Sequence, residues 1–300
     1  MNEEYKKEYA SFLRKFLNLE RPLKVVFDAT NGPAGMVVRE IFANPDIETS
    51  VEMIIINDDI DPDFKAHAPN PLLPGASDGC RKAIIEKGAD IGIMSDADGD
   101  RAFFLDEKGE MIPACFITKL LGDKLSPPFI ADELVYESLR FLNIYEEKDL
   151  IPSRIGGYFI KKAMRETGAS FGSEYSGHYY FKEFFGLDSG LLSTVFVLNA
   201  VSKIRMPLSK WQESFGPHDI QTIEIGVAGK DVQSIYRNLE EKYGKEARKI
   251  EHRDGITFVF EDFWVNIRTS NTEPIMRIVA GGGGELNQKV KEIENFVRES

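Results

Sequence analysis

The sequence predicts an α/β protein: two mixed α/β domains followed by a smaller α+β C-terminal domain. Three observations predict it. Short apolar runs alternate with helical periodicities from residue 24 to residue 204, the rhythm of sheets covered by helices. Four strand patterns then crowd between residues 220 and 279, flanked by helices rather than alternating with them. The breaks Ser126-Pro127-Pro128 and Phe215-Gly216-Pro217 separate the three regions. A chain of 300 residues with 42% hydrophobic and 29% charged content supports two or three such cores.

The elements follow in order. Tyr5, Tyr9, Phe12, Leu13, Phe16 and Leu17 recur at helical spacing, predicting an opening helix that Pro22 ends. Lys24–Asp28 is a buried strand, followed by a turn Ala29-Thr30-Asn31-Gly32-Pro33 and a helix from Ala34. Glu52–Ile56 is the next strand, and Asp61–Pro74 is an irregular loop. Ala76–Lys87 is helical and stops at Gly88; Asp90–Met94 and Ala102–Leu105 are strands. Beyond the first break come strand Phe129–Ala131, helices Glu133–Asn143 and Phe159–Thr167, strand Ser170–Ser173 and helix Ser189–Ile204. The last region has strands Ile220–Ile225, Gly255–Phe260, Trp264–Ile267 and Ile275–Val279, with helices Asp231–Tyr243 and Leu286–Arg298. Gly281–Gly284 reads as a flexible turn before the last helix. The expected division is therefore a connector helix (1–20), then domains 21–125, 126–215 and 216–300.

Charge narrows the function. With 37 basic and 49 acidic residues the net charge is −12, which argues against nucleic-acid or anionic-membrane partners but allows a local pocket for a phosphate. No apolar run reaches the length of a membrane span. Met1–Glu20 is charged and amphipathic with no signal-type apolar core, so a cytoplasmic setting is expected. Cys80 and Cys115 lie among apolar neighbours and read as reduced core thiols.

Three constellations carry chemistry. Asp96-Ala97-Asp98-Gly99-Asp100-Arg101 follows a strand. Carboxylates at alternate positions of an extended segment share a side. At ~4 Å and an effective dielectric near 20, each like-charge pair costs on the order of 4 kcal/mol. The set Asp96, Asp98 and Asp100 therefore points to a hard divalent cation, Mg²⁺, with Arg101 as a phosphate clamp. An EF-hand would need glycine at the place of Arg101 and helices on either side. Ser173-Glu174-Tyr175-Ser176-Gly177-His178 also follows a strand. Glu174 and Ser176 suit vicinal sugar hydroxyls, and His178 suits a phosphate or a proton; a turn or cap is the bland alternative. Arg268-Thr269-Ser270-Asn271-Thr272-Glu273-Pro274, with Arg277 beyond it, offers hydroxyls, amides and guanidinium to a phosphate, or is a polar hairpin loop. Gly229-Lys230 lacks the rest of a P-loop.

In this order and spacing, the three loops resemble the α-D-phosphohexomutase superfamily of phosphomannomutase/phosphoglucomutase and phosphoglucosamine mutase. Ala66-His67-Ala68-Pro69-Asn70-Pro71 is similar to the family's H-x-P-x-P segment, and Ile155-Gly156 with Ile160-Lys161-Lys162 to its domain 3 loop. The resemblance covers the chain from about Tyr5 and matches domains 2, 3 and 4 of a four-domain, heart-shaped enzyme. It implies Asp96, Asp98 and Asp100 as magnesium ligands, with Arg101 after them. It implies Glu174, Ser176 and His178 as the sugar loop. Arg268, Ser270, Asn271 and Thr272 would be the phosphate loop, with Arg277 as an extra. Arg101 and His178 would be catalytic, and the ligand a phosphorylated hexose. Tyr175 stands where many members have Met or Gln, Gly157 where many have His, and Leu134 where many have Lys. No serine is followed by His-Asn, so the domain 1 loop that carries the family's phosphoserine is not found here. The resemblance thus implies a phosphohexomutase whose domain 1 is on another chain or removed. A non-catalytic phosphosugar-binding protein and a Mg²⁺-dependent phosphosugar phosphatase are the alternatives.

Overall fold

The computed structural model describes residues 3–43, 50–270 and 273–300. Strands β1 (Leu23–Asp28), β2 (Val51–Ile56), β3 (Ile91–Ser95) and β4 (Ala102–Leu105) form a first sheet in the order β2-β1-β3-β4. β1 is parallel to β2 and β3, and β4 returns antiparallel to β3. Alternation decides the faces. Val26, Met94, Phe103 and Leu105 pack on Cys80 and Ile84 of α3 (Asp78–Lys87). Val25, Phe27, Ile91, Ile93 and Phe104 face the main core beside α1 (Glu3–Arg14) and α2 (Ala34–Phe42).

α1 stops at Arg14, well before Pro22. The amides of Lys15, Phe16 and Leu17 bond three residues back, which tightens and ends the helix. A later helix, α7 (Gly190–Val201), then takes over the chain. Its Asn199 donates to the Phe16 carbonyl at 2.7 Å and accepts from the Asn18 amide at 2.7 Å.

The second sheet repeats the plan. β5 (Phe129–Asp132), β6 (Leu150–Ser153), β7 (Phe171–Ser173), β8 (Tyr179–Phe181) and β9 (Leu187–Asp188) lie in the order β6-β5-β7-β8-β9. The β5 pairs are parallel and the β8 pairs antiparallel. α6 (Gly157–Thr167) covers one face through Ile160 and Met164. α4 (Ala114–Gly122) and α5 (Glu133–Phe141) cover the other.

α4 is not foreseen in the sequence. Its run ACFITKLLG is mostly apolar and buried at all positions but Ala114 and Lys119. α7 is buried at all twelve positions. The two helices pack on each other between the sheets, with α7 also reaching β4 of the first sheet. One hydrophobic core consequently runs from Ala10 to Leu208, through both sheets.

The third sheet is antiparallel: β10 (Asp219–Gly226), β11 (Lys249–Glu251), β12 (Ile256–Val259), β13 (Phe263–Thr269) and β14 (Ile275–Gly282), in the order β10-β14-β13-β12-β11. α9 (Val232–Tyr243) and α10 (Leu286–Glu299) pack on one face. The other presents Trp264 and Val279 to Leu134 of α5. Gly281 and Gly282 belong to β14 rather than to a turn. A side chain on Gly281 would press the Trp264 indole at 2.7 Å, so glycine lets the fully buried ring lie on the strand. α8 (Leu208–Glu213) leads into this sheet. Polar contacts fix the docking: Thr257 Oγ1 donates to Glu133 Oε1 at 2.8 Å, Arg253 pairs with the other Glu133 oxygen, and the Ile155 amide donates to Asp254 at 2.7 Å.

Candidate active site

The acidic loop hangs from the C-terminal end of β3. It is not extended; residues 97–100 bend and Gly99 takes φ +80°. Asp96 is buried and organises the curl. Its Oδ1 accepts from the amides of Gly99 (3.1 Å) and Arg101 (3.2 Å), and its Oδ2 from Arg101 Nε (2.6 Å). The curl brings one oxygen each of Asp96, Asp98 and Asp100 within 4.8 Å of one another. The convergence expected from strand alternation is achieved instead by a turn. Burial holds the Asp100 carboxyl above its ordinary range, reinforced by Asp96, Asp98 and Asp188 and opposed by His178. A cavity of about 220 Å³ lies against the loop, bounded by Tyr9, Pro33, Asp98, Asp100 and Ser189.

Packing shapes the loop from below. Thr30 Oγ1 donates to the Ser95 carbonyl at 2.6 Å. A Cβ on Gly32 would overlap the Ala97 carbonyl oxygen. At the N-terminus of α7, a Cβ on Gly190 would lie 2.5 Å from the Arg101 carbonyl oxygen and 2.9 Å from that of Gly99. Both glycines are needed for close backbone approach.

The Glu174 loop joins β7 to β8. Glu174 is buried; Oε1 accepts from the Gly156 amide at 2.8 Å and Oε2 from the Tyr180 hydroxyl at 2.5 Å. Ser176 Oγ lies 2.8 Å from His178 Nδ1, and His178 Nε2 lies 3.6 Å from Asp100. The acidic and Glu174 loops are stitched by their backbones: the Ala102 amide donates to the Gly177 carbonyl at 3.1 Å, and Arg101 bridges His178.

The third constellation ends β13. Arg268 is opposite Arg277 on β14, and Arg277 is opposite Glu224 on β10. Arg277 is committed to Glu224 at 2.7 Å, with Glu273 at 3.7 Å. Arg268 has no such tie: its buried Nε finds no hydrogen-bond partner among the described residues. The Ser270 amide donates to the Ile275 carbonyl at 2.9 Å. Asn271 and Thr272 lie outside the described residues.

Sequence reasoning missed the residues that connect these loops. Asp132 closes β5, caps α5 through the Val135 amide (2.9 Å) and accepts from the Tyr175 amide (2.8 Å). Burial and then Glu174 push its carboxyl up to about 7, while Arg268 pulls it down. Asp132 thereby holds the Glu174 loop at the end of β5 and feels the charge of Arg268. A carboxylate at the end of a strand, three residues before Val135, is the signal that could have found it. Tyr180 has no such signal, because its partner Glu174 is set by the β7–β8 turn. The Tyr180 hydroxyl also explains Gly157: a Cβ there would stand 2.7 Å from it.

The family signature "Phosphoglucomutase/phosphomannomutase, alpha/beta/alpha domain II" matches residues 3–109, and its domain III counterpart matches residues 134–217. The chain belongs to the α-D-phosphohexomutase superfamily. Among its phosphohexomutase relatives, the phosphomannomutase of Salmonella typhimurium is 33% identical over 271 residues, covering 88% of this chain and 59% of that protein. That of Methanocaldococcus jannaschii is 32% identical, covering 98% of this chain and 65% of that protein. A phosphoglucomutase/phosphomannomutase family protein from Burkholderia thailandensis shares the fold with TM-score 0.80 and 24% identity, over 98% of this chain and 63% of that one. Aspergillus fumigatus N-acetylphosphoglucosamine mutase, in complex with GlcNAc-6P and magnesium, gives TM-score 0.68 and 15% identity over 98% and 70%. The chain thus spans roughly three fifths of the length of the curated phosphomannomutases it matches.

Proposed function

We propose that these residues carry the cation, sugar and phosphate loops of a phosphohexose mutase, which moves a phosphoryl group between O1 and O6 of a hexose. The observation that supports it most is the physical joining of loops from separate elements: Arg101 to His178, and Asp132 to Tyr175. Arg268, whose buried Nε has no partner among the described residues, would take the substrate phosphate together with Ser270, Asn271 and Thr272. Arg277, already paired with Glu224, would add charge rather than a direct clamp. Glu174 and Ser176 would face sugar hydroxyls, and His178 would hold or pass a proton between Ser176 and Asp100.

Three clustered carboxylates, one buried, one half-buried and one exposed, fit a Mg²⁺ ion at Asp96, Asp98 and Asp100. Bound there, Mg²⁺ would neutralise charge on a transferring phosphoryl group. Arg101 is fixed by Asp96 at the edge of the same loop.

The 300 residues contain no Ser-His-Asn, so on their own they bind phosphosugar without mutase turnover; the serine loop would come from elsewhere. A cytoplasmic setting agrees with two free buried thiols and with the lack, among the described residues, of any helix able to cross a membrane. The test is a coupled assay with glucose 1,6-bisphosphate as activator, beside an NMR titration with mannose 6-phosphate. We expect no turnover, binding nearer millimolar than micromolar, and a loss of about 1.5–3 kcal/mol in Arg268→Ala. Mutase turnover by the chain alone would overturn the missing-nucleophile reading. Steady phosphate release would favour a hydrolase, and an unaffected Arg268→Ala would reduce the phosphate loop to a hairpin.

A further inference from the structure

His67 lies in the irregular stretch between β2 and α3, with its side chain 8% exposed. Both ring nitrogens face acceptors. Nδ1 is 2.8 Å from the Ala68 carbonyl oxygen, and Nε2 is 3.2 Å from Asp28 Oδ2. A neutral imidazole has one N–H and satisfies only one of them; the imidazolium satisfies both. Asp28 is fully buried, and among the described residues His67 is the ion-pair partner recorded for it. Its carboxylate also accepts from the Thr30 amide (3.0 Å) and from Asn57 Nδ2 (3.0 Å to each oxygen).

From Asp28 the contacts lead to the cation loop. Thr30, held by Asp28, donates its hydroxyl to the carbonyl of Ser95, the residue before Asp96. Gly32 seats the Ala97 carbonyl. Thr30 and Asn31 both have φ +53°, left-handed geometry that asparagine tolerates but that a β-branched residue such as Thr30 keeps only when its surroundings hold it. Asn31 ties the same turn back to the His67 segment, donating to the Asp59 carbonyl at 2.9 Å and accepting from the Ala66 amide at 3.0 Å. The turn is thus clamped between His67 and the acidic loop.

We propose that the His67 imidazolium, paired with Asp28, is a positioning residue for the cation loop: its proton keeps residues 28–32 in the form that shapes Ser95–Ala97, and its loss weakens cation binding. The proposal rests on reading Asp96, Asp98 and Asp100 as cation ligands. The hydrogen bond to Asp28 raises the His67 pKa above the ordinary imidazole value, against burial. Asp28 on β1 and the Ala68 carbonyl are the groups that face the ring nitrogens. The Cys80 thiol on α3, which feels Asp28, is pushed up by burial and stays neutral. Because the folded pKa is raised, the imidazolium is present below that value and is lost as pH rises through it. The effect is therefore on the alkaline side, away from carboxylate protonation.

The test is Mn²⁺ binding, followed by the paramagnetic resonance of free Mn²⁺, between about pH 6.5 and about pH 8.5. Wild type should bind about threefold to tenfold more weakly at the upper pH. His67→Gln should bind weakly at both, with the slope gone. Asp28→Asn, which keeps an oxygen for the Thr30 amide, should move the loss to lower pH and decides the matter if His67→Gln does not fold. The His67 ring signals of the wild type should titrate in step with the Mn²⁺ affinity. A His67→Gln profile matching wild type, while Asp98→Asn abolishes binding, overturns this proposal alone. No binding by wild type, or equal binding by Asp98→Asn, overturns the cation site and this proposal with it.

Discussion

Asp132 shows how one residue can tie two loops together and carry a pH signature. Its oxygens accept two backbone amides, yet full burial beside Glu174 lifts its carboxyl to about 7. The folded state therefore holds this proton more tightly than the unfolded chain. Asp132 contributes stability that is present below about pH 4 and is lost as pH rises towards 7, at up to about 1.4 kcal/mol per pH unit. Asp132→Asn should remove that slope, so urea-unfolding curves of the two proteins should converge or diverge across this window; parallel profiles would contradict the assignment. Asp96, Asp98 and Asp100 were legible in the sequence because adjacent like charges need a reason. Glu174 was legible as a candidate only. That its oxygens are held by Gly156 and Tyr180 depends on a turn and a neighbouring loop that no local pattern encodes.

Among the elements, the turn between β1 and α2 governs the loop after β3, because parallel neighbours bring their C-terminal ends together. At Gly32 the two loops lie so close that a Cβ would stand 2.4 Å from the Ala97 carbonyl oxygen. Gly32→Ala should push the Ala97 carbonyl away and cost about 1–3 kcal/mol by overpacking. It should also weaken Mn²⁺ binding, whereas Gly79→Ala, where the added carbon meets nothing, should leave binding unchanged. Denaturant midpoints and metal titrations check both. Elements with a clear period or a clear stop, such as β1, α9 and α3 with Gly88 after it, were readable to within a residue or two. The short strands β6, β8, β9 and β11 were not, since two to four residues carry too little pattern. α4 escaped because it is short and mostly apolar, with Lys119 as its one charged residue, so little of a polar stripe marks it.

At the scale of the molecule, the three-part reading captured the three sheets but not how the first two share a core. The third sheet has its own core and is docked through Glu133, which is fully buried between Arg253 and Thr257. Glu133→Ala would leave Arg253 without its buried partner and should cost about 3–5 kcal/mol. Because Arg268 belongs to the third sheet and the Glu174 loop to the second, hexose phosphate binding should weaken too. A denaturation curve that splits, with the third sheet leaving first, is the expected outcome. A single unchanged transition would mean that Leu134, Trp264 and Val279 suffice to hold the junction.

The exchange of helices between the first two sheets also sets a timetable for synthesis. β4 is complete at Leu105, but α7, which lies against it, ends at Val201. At ordinary translation rates of about 5–20 residues per second, the Phe104 face waits roughly 5–20 s for its cover. During that interval α1 and α2 can cover only part of the apolar face of the nascent first sheet, and the part that α7 fills stays open. A ribosome-bound chain halted after β4 should therefore be held by chaperones and digested readily, and one halted well beyond α7 should be released and resistant.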